Sequence, residues 1–214
     1  MMPWAVLGIT VFFFLFSWMI IQGTRASMAY RKAAAEGDLD VIRQILDDSI
    51  NHWRSQRRPK EVPPGTWRSI QSLELVGYGP EHAHVSALAE GEQRMVEGAW
   101  QELASPLQEA YAVTAKALDM LLYEVPNHKL ASVQLDVYTT FRDESGASER
   151  RCILSTVATR EAARAVDWDS WQPVDVVDAF SGRYRLGDFG RALPIEPLSP
   201  AADEVPAQKL ESAA

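Results

Sequence analysis

The chain has 214 residues, with 21 Lys and Arg against 29 Asp and Glu, a net charge of −8, and 47% hydrophobic residues. This balance excludes a disordered or fibrous chain and a polytopic membrane protein. No charged residue falls in the first 24 positions, so the apolar excess sits at one end.

Residues 3–22, PWAVLGITVFFFLFSWMIIQ, form an uncharged run of 20, eleven of them Leu, Ile, Val or Phe. A helix of that length rises about 30 Å, the thickness of the hydrocarbon core, and predicts a single transmembrane helix over 1–24 with the lipid bilayer as its partner. Trp4 and Trp18 fall near its ends, at headgroup depth. A cleaved secretory signal needs a positively charged start and a shorter apolar core, and this chain has neither. Arg25, Arg31 and Lys32 follow the run, and the positive-inside bias then predicts the N-terminus outside and the C-terminal side in the cytoplasm of a plasma, bacterial-type inner membrane. Cys152 is the only cysteine, which rules out an intramolecular disulfide and fits a packing role.

Beyond Gly37, Asp38 caps a second predicted helix in which Leu39, Ile42, Leu46, Ile50 and Trp53 recur at spacings of 3, 4, 4 and 3. That apolar stripe needs a partner, which is the following domain rather than a second copy, because it is too short for a coiled-coil seam. Residues 54–66, RSQRRPKEVPPGT, read as a basic, Pro-rich connector. Charge changes sign near this boundary: residues 25–68 hold 9 basic and 6 acidic residues (+3), and residues 69–214 hold 12 and 23 (−11). An acidic distal domain argues against nucleic acid as a partner.

From Trp67 the pattern has period two, with Leu73 and Leu75 in one strand and Ala83, Val85, Ala87 and Ala89 sharing a face of the next. Glu97-Gly98 predicts a turn into a short third strand through Trp100 and Leu103. Ser105-Pro106 starts a helix over 106–123 with Leu107, Thr114, Leu118, Leu121 and Leu122 inward, ended by Val125-Pro126-Asn127. Residues 131–141 alternate and pair across the turn RDESGASER with the run CILSTVA. Thr159 caps a short helix over 160–166, Pro173 opens another with Val174, Val177 and Phe180 inward, and a Pro- and Ala-rich tail from 197 to 214 is expected to be disordered.

The fold class is therefore α+β: a transmembrane helix (1–24), a membrane-proximal helical segment and connector (25–65), a cytoplasmic domain with a largely antiparallel sheet (66–196), and the tail (197–214).

Few residues offer chemistry. His82 and His84 lie two apart on a strand, so both imidazoles project from one face as two zinc ligands would, although no third ligand is assigned; two surface histidines are the plainer reading. Asp136 and Glu149 have a spacing found in metal-dependent nucleases, but Arg151 occupies the position that chemistry gives to a lysine. Nucleophile and phosphate-binding signatures are missing, and no catalytic residue or cofactor is assigned. Arg54, Arg57, Arg58 and Lys60 read as a solvated or partner-facing loop, and Trp168 and Trp171 as a cover over a helix end. The expected function is a non-catalytic scaffold, assembly or regulatory subunit of a membrane-associated complex, with a protein partner. A membrane-tethered hydrolase using His82 and His84 and a small-ligand sensor are the alternatives.

Overall fold

In the computed structural model, which describes residues 3–96, 99–142 and 146–207, the chain opens with one uninterrupted helix, α1 (Pro3–Ala35). It ends at Gly37, whose φ of 81° lets the backbone reverse so that the Gly37 and Asp38 amides bond to Ala34 and Ala33. Within α1 the described side chains are Ile9, Val11 to Gln22, Thr24 and those from Met28 on. Among the described residues no helix is long and apolar enough to cross a membrane. The 3–22 stretch expected to span is therefore established as helix, with its side chains described only in part.

Asp38 accepts from the Asp40 and Val41 amides and so starts α2 (Leu39–Ser55), which buries Ile42, Ile45, Leu46, Ile50 and Trp53. The stripe read from spacing joins the same core as the sheet, so α2 packs as part of the domain rather than standing apart from it. The connector is shorter than expected, because its last residues begin a further helix, α3 (Pro64–Gln71). Pro64 occupies the first turn, where its missing N–H costs nothing, and Trp67 and Ile70, three apart, are buried. The period-two signal begins only at Leu73.

Six strands form the main sheet: β1 (Glu74–Tyr78), β2 (His82–Leu88), β5 (Ser132–Arg142), β6 (Ser148–Thr159), β7 (Arg183–Tyr184) and β8 (Val205–Pro206), in the order β7-β6-β5-β2-β1-β8. The remaining strands, β3 (Glu92–Val96) and β4 (Ala99–Ala104), form a separate hairpin; the Glu97-Gly98 turn expected there lies outside the described residues. The sheet is mostly antiparallel, as expected, but β2 and β5 run parallel. That pairing requires a crossover, supplied by the β3–β4 hairpin and α4 (Pro106–Asp119).

In α4, Ser105 accepts from the Gln108 amide and the Gln108 side chain accepts from the Ser105 amide, a reciprocal cap. The helix widens into a π turn (Met120–Glu124) that buries Leu121 and Leu122. Two short helices, α5 (Arg160–Ala163) and α6 (Pro173–Ala179), complete this layer, and α5 stops before the 166 expected from sequence. Val113, Ala117 and Leu118 of α4 share one core with Ala83, Val85 and Ala87 of β2 and Val133, Leu135 and Val137 of β5.

The opposite sheet face is covered by the C-terminal segment expected to be disordered. Residues 194–207 form a strap in which the Ile195 amide bonds to Cys152 O (2.9 Å), the Leu198 amide to Ser155 Oγ (2.9 Å), and β8 pairs with β1 through Gly77 and Tyr78. Four prolines in the strap remove donors that an extended segment with one covered side would leave unmet. Residues 208–214 lie outside the described residues.

Candidate functional site: a buried His–carboxylate clasp

Between the strap and the sheet lies a buried group of titratable side chains. The parallel register sets His82 beside Ser132, His84 beside Gln134 and Ser86 beside Asp136, all on the face away from the helices. Across β5, Asp136 pairs with Ser155 of β6. From the other side the strap inserts Glu204, whose carboxylate lies where a Cβ on Gly77 would stand: Oε1 would be 2.0 Å away. The pairing shift in β1 between Leu75 and Gly77 falls at this point.

These groups form one chain of polar contacts. Ser155 Oγ donates to Asp136 Oδ1 (2.5 Å), Asp136 Oδ2 faces His84 Nε2 (2.8 Å), and Glu204 Oε1 faces His84 Nδ1 (2.8 Å). The other Glu204 oxygen accepts from the Ala201 amide (3.2 Å) and lies 3.3 Å from His82 Nε2. That last approach is electrostatic, because His82 Nε2 has no hydrogen-bond partner, while His82 Nδ1 meets Ser132 Oγ at 3.0 Å. The His82, His84, Asp136 and Glu204 side chains are all at most 8% exposed.

Carboxylates only accept, so with both ionised the bonds at His84 are complete only when both ring nitrogens carry protons. Burial pulls the His84 imidazole down from its ordinary value; the hydrogen bonds and charges of Asp136 and Glu204 more than reverse this, and the net shift is upward.

The histidines singled out by their spacing thus share a face, as expected, but they are buried rather than on the surface. One nitrogen of each ring faces the same Glu204 carboxylate, His82 Nε2 at 3.3 Å and His84 Nδ1 at 2.8 Å, and no group of three or more His, Cys, Asp or Glu suited to a metal ion occurs among the described residues. Nor is Ser155 placed as a nucleophile: its hydroxyl donates to a carboxylate and accepts from a backbone amide, with no imidazole beside it.

Asp136 belongs to the clasp, whereas Glu149 is exposed and paired with Arg151 at 2.7 Å, five positions farther along the β5–β6 ladder. Cys152 is buried, with its thiol pushed up to about 12 by burial. Trp168 stacks on Phe180 and meets Tyr123 edge-on, covering the core, while Trp171 is exposed. In the basic cluster, Arg54 donates to Leu73 O and Arg58 to Val62 O, which ties half of it to the local fold.

A second feature is an open cleft of about 730 Å³ where the end of α1 meets the loop after the π turn. Arg31, Lys129 and Arg160 line it together with Glu81 and Glu124. Arg31 Nε donates to Asn127 Oδ1 (3.0 Å), Arg160 Nε to Leu130 O (2.7 Å), and burial lowers the His128 imidazole in the same wall.

Set against known protein families, curated proteins and solved structures, the chain matches none.

Proposed function

We propose that the chain is a single-pass, membrane-anchored protein whose α+β domain serves as a non-catalytic scaffold, assembly or regulatory subunit of a membrane-associated complex, held on the cytoplasmic side. The observation that carries the anchor is the exposure along α1. Ile9 and the large apolar side chains from Val11 to Ile21 are 47–73% exposed, including Phe12 to Phe16, whereas Ala34 at the other end of the same helix is buried against the domain. A continuous face of that kind is costly in water and favourable in lipid. The 20 uncharged residues of 3–22 match one bilayer, and Arg25, Arg31 and Lys32 supply the orientation.

The non-catalytic reading is supported by the clasp, in which His84, Asp136, Glu204 and Ser155 are hydrogen-bonded to one another beneath the strap. The cleft at the foot of α1, within the ~300–1,000 Å³ usual for small-molecule sites, favours ligand sensing as a second reading.

Two measurements test the anchor. The intact chain should stay with membranes through alkaline carbonate extraction, and a Ser170→Cys reporter should be shielded from an impermeant thiol reagent in intact cells. Release into the wash refutes the anchor, and rapid labelling in intact cells refutes the orientation.

A further inference from the structure

We propose that the C-terminal strap, residues 194–207, is a proton-dependent latch: closed on the sheet while His84 carries a proton on both ring nitrogens, and released when it loses one. Three observations meet at this point. The strap's one buried charge is Glu204, and it is seated on His84 and His82 rather than on a lysine or arginine. The sheet is shaped to receive it, because Gly77 leaves open the space the carboxylate fills. And Asp136, on the far side of the ring, cannot donate, so a singly protonated His84 leaves one of two buried carboxylates without its bond.

The other groups facing His84 do not offset that loss. On β2, His82 lies beside it on the same face and contacts Glu204. On β5, Gln134 donates to Leu198 O and is neutral, and Tyr138 is pushed up to about 12 by burial. On β6, Ser155 is bonded to Asp136 and Cys152 is held protonated by burial. From β1, Gly77 presents no side chain, and Asp203 of the strap lies by Gly79 and adds negative charge. No lysine or arginine side chain is hydrogen-bonded or ion-paired to Asp136 or Glu204 among the described residues. Among the described residues, His84 is the one side chain hydrogen-bonded to both acids.

Asp136 stays beside His84 on the sheet when the strap lifts, so only the part of the upward shift that Glu204 brings is linked to release, and that stabilisation is fully present at low pH. It is lost as pH rises through the closed-state value. Opening frees the β1 edge paired with Val205 and Pro206 and uncovers the polar face of β2 and β5. The Ile195 and Leu198 amides, bonded to Cys152 O and Ser155 Oγ, report the strap, and the ladder amides of β5 and β6 report the sheet.

Hydrogen exchange on the intact chain between pH 6 and 9.5, corrected for intrinsic rates, reads the latch directly. Protection at Ile195 and Leu198 should fall by up to about tenfold per pH unit above the imidazole range, the slope of one linked proton, while β5 and β6 stay protected. In Glu204→Gln the amide still accepts from His84 but carries no charge, so the slope should vanish. Strap protection that does not change with pH, strap and sheet losing protection in parallel, or a slope that persists in Glu204→Gln would each overturn the latch.

Discussion

Gly77 offers a sharp test of whether the Glu204 seat is built into the sheet. A methyl group at that position would meet Glu204 Oε1 at 2.0 Å and its Cγ and Cδ at 2.6 Å, distances that no small adjustment relieves, so Gly77→Ala must expel the carboxylate. Expulsion removes the 2.8 Å bond to His84 Nδ1 and the contact with His82. A hydrogen bond between charged groups contributes ~1.5–3 kcal/mol, and removing one partner of a buried pair costs ~3–5 kcal/mol. His84 retains Asp136 as counterion, which places Gly77→Ala near the lower range, at about 2–3 kcal/mol. Glu204→Ala loses the same interaction and should cost about as much. The double variant is decisive: with the carboxylate gone, the added methyl meets nothing it must displace, so the pair should cost no more than either change alone, a coupling of about 2 kcal/mol. Chemical denaturation of the intact chain near pH 6 provides the three values. Additive costs would mean that Gly77 acts through the backbone alone and that Glu204 is not seated where the structure puts it.

Other consequences follow from burial. Leu118, fully buried on α4, should cost ~2–5 kcal/mol when cut to Ala, whereas Gln44→Ala on the exposed side of α2 should shift stability by no more than ~0.5 kcal/mol; equal denaturation midpoints would refute the packing. Cys152, with its thiol near 12, should not react with a thiol reagent at pH 8 until the chain is unfolded, and rapid reaction of native protein would show that the strap does not shield it. A fragment of residues 38–207 should be soluble and unfold cooperatively, whereas residues 66–197 lack both α2 and the end of the strap and should aggregate; good behaviour of the shorter piece would restore the boundary read at the connector.

Legibility from sequence tracked the range over which each feature is determined. The α2 stripe, the Ser105-Pro106 start of α4 and the 131–141 alternation are each written within one short stretch of sequence, and all three occur in the structure. The α3 helix was missed because its signal, Pro64 followed by Trp67 and Ile70, spans barely two turns and adjoins the Leu73/Leu75 alternation, which has the opposite period. The parallel pairing of β2 with β5 was missed for a different reason. Nothing in either strand records its neighbour, and the interposed hairpin and helix look locally like an antiparallel meander that breaks off.

The tail shows why low apolar content did not mean disorder here. Residues 194–207 contain only a few large apolar side chains, so a count of burial predicts no folding. What orders them is a set of contacts made by partners far back in the chain: Cys152 O, Ser155 Oγ, the Gln134 amide and the two imidazoles. The histidine pair carried half of this message, since two imidazoles on one strand face need partners if that face is covered. The missing half, Glu204, lies 120 residues beyond His84 in a segment whose composition reads as linker. A strap held by hydrogen bonds and one buried carboxylate, with little apolar area, is one whose attachment a proton can weaken without disturbing the core beneath it. The same physics that hid the strap from a hydrophobicity count therefore makes its release separable from unfolding, and this is why strap and sheet amides should part company as pH rises.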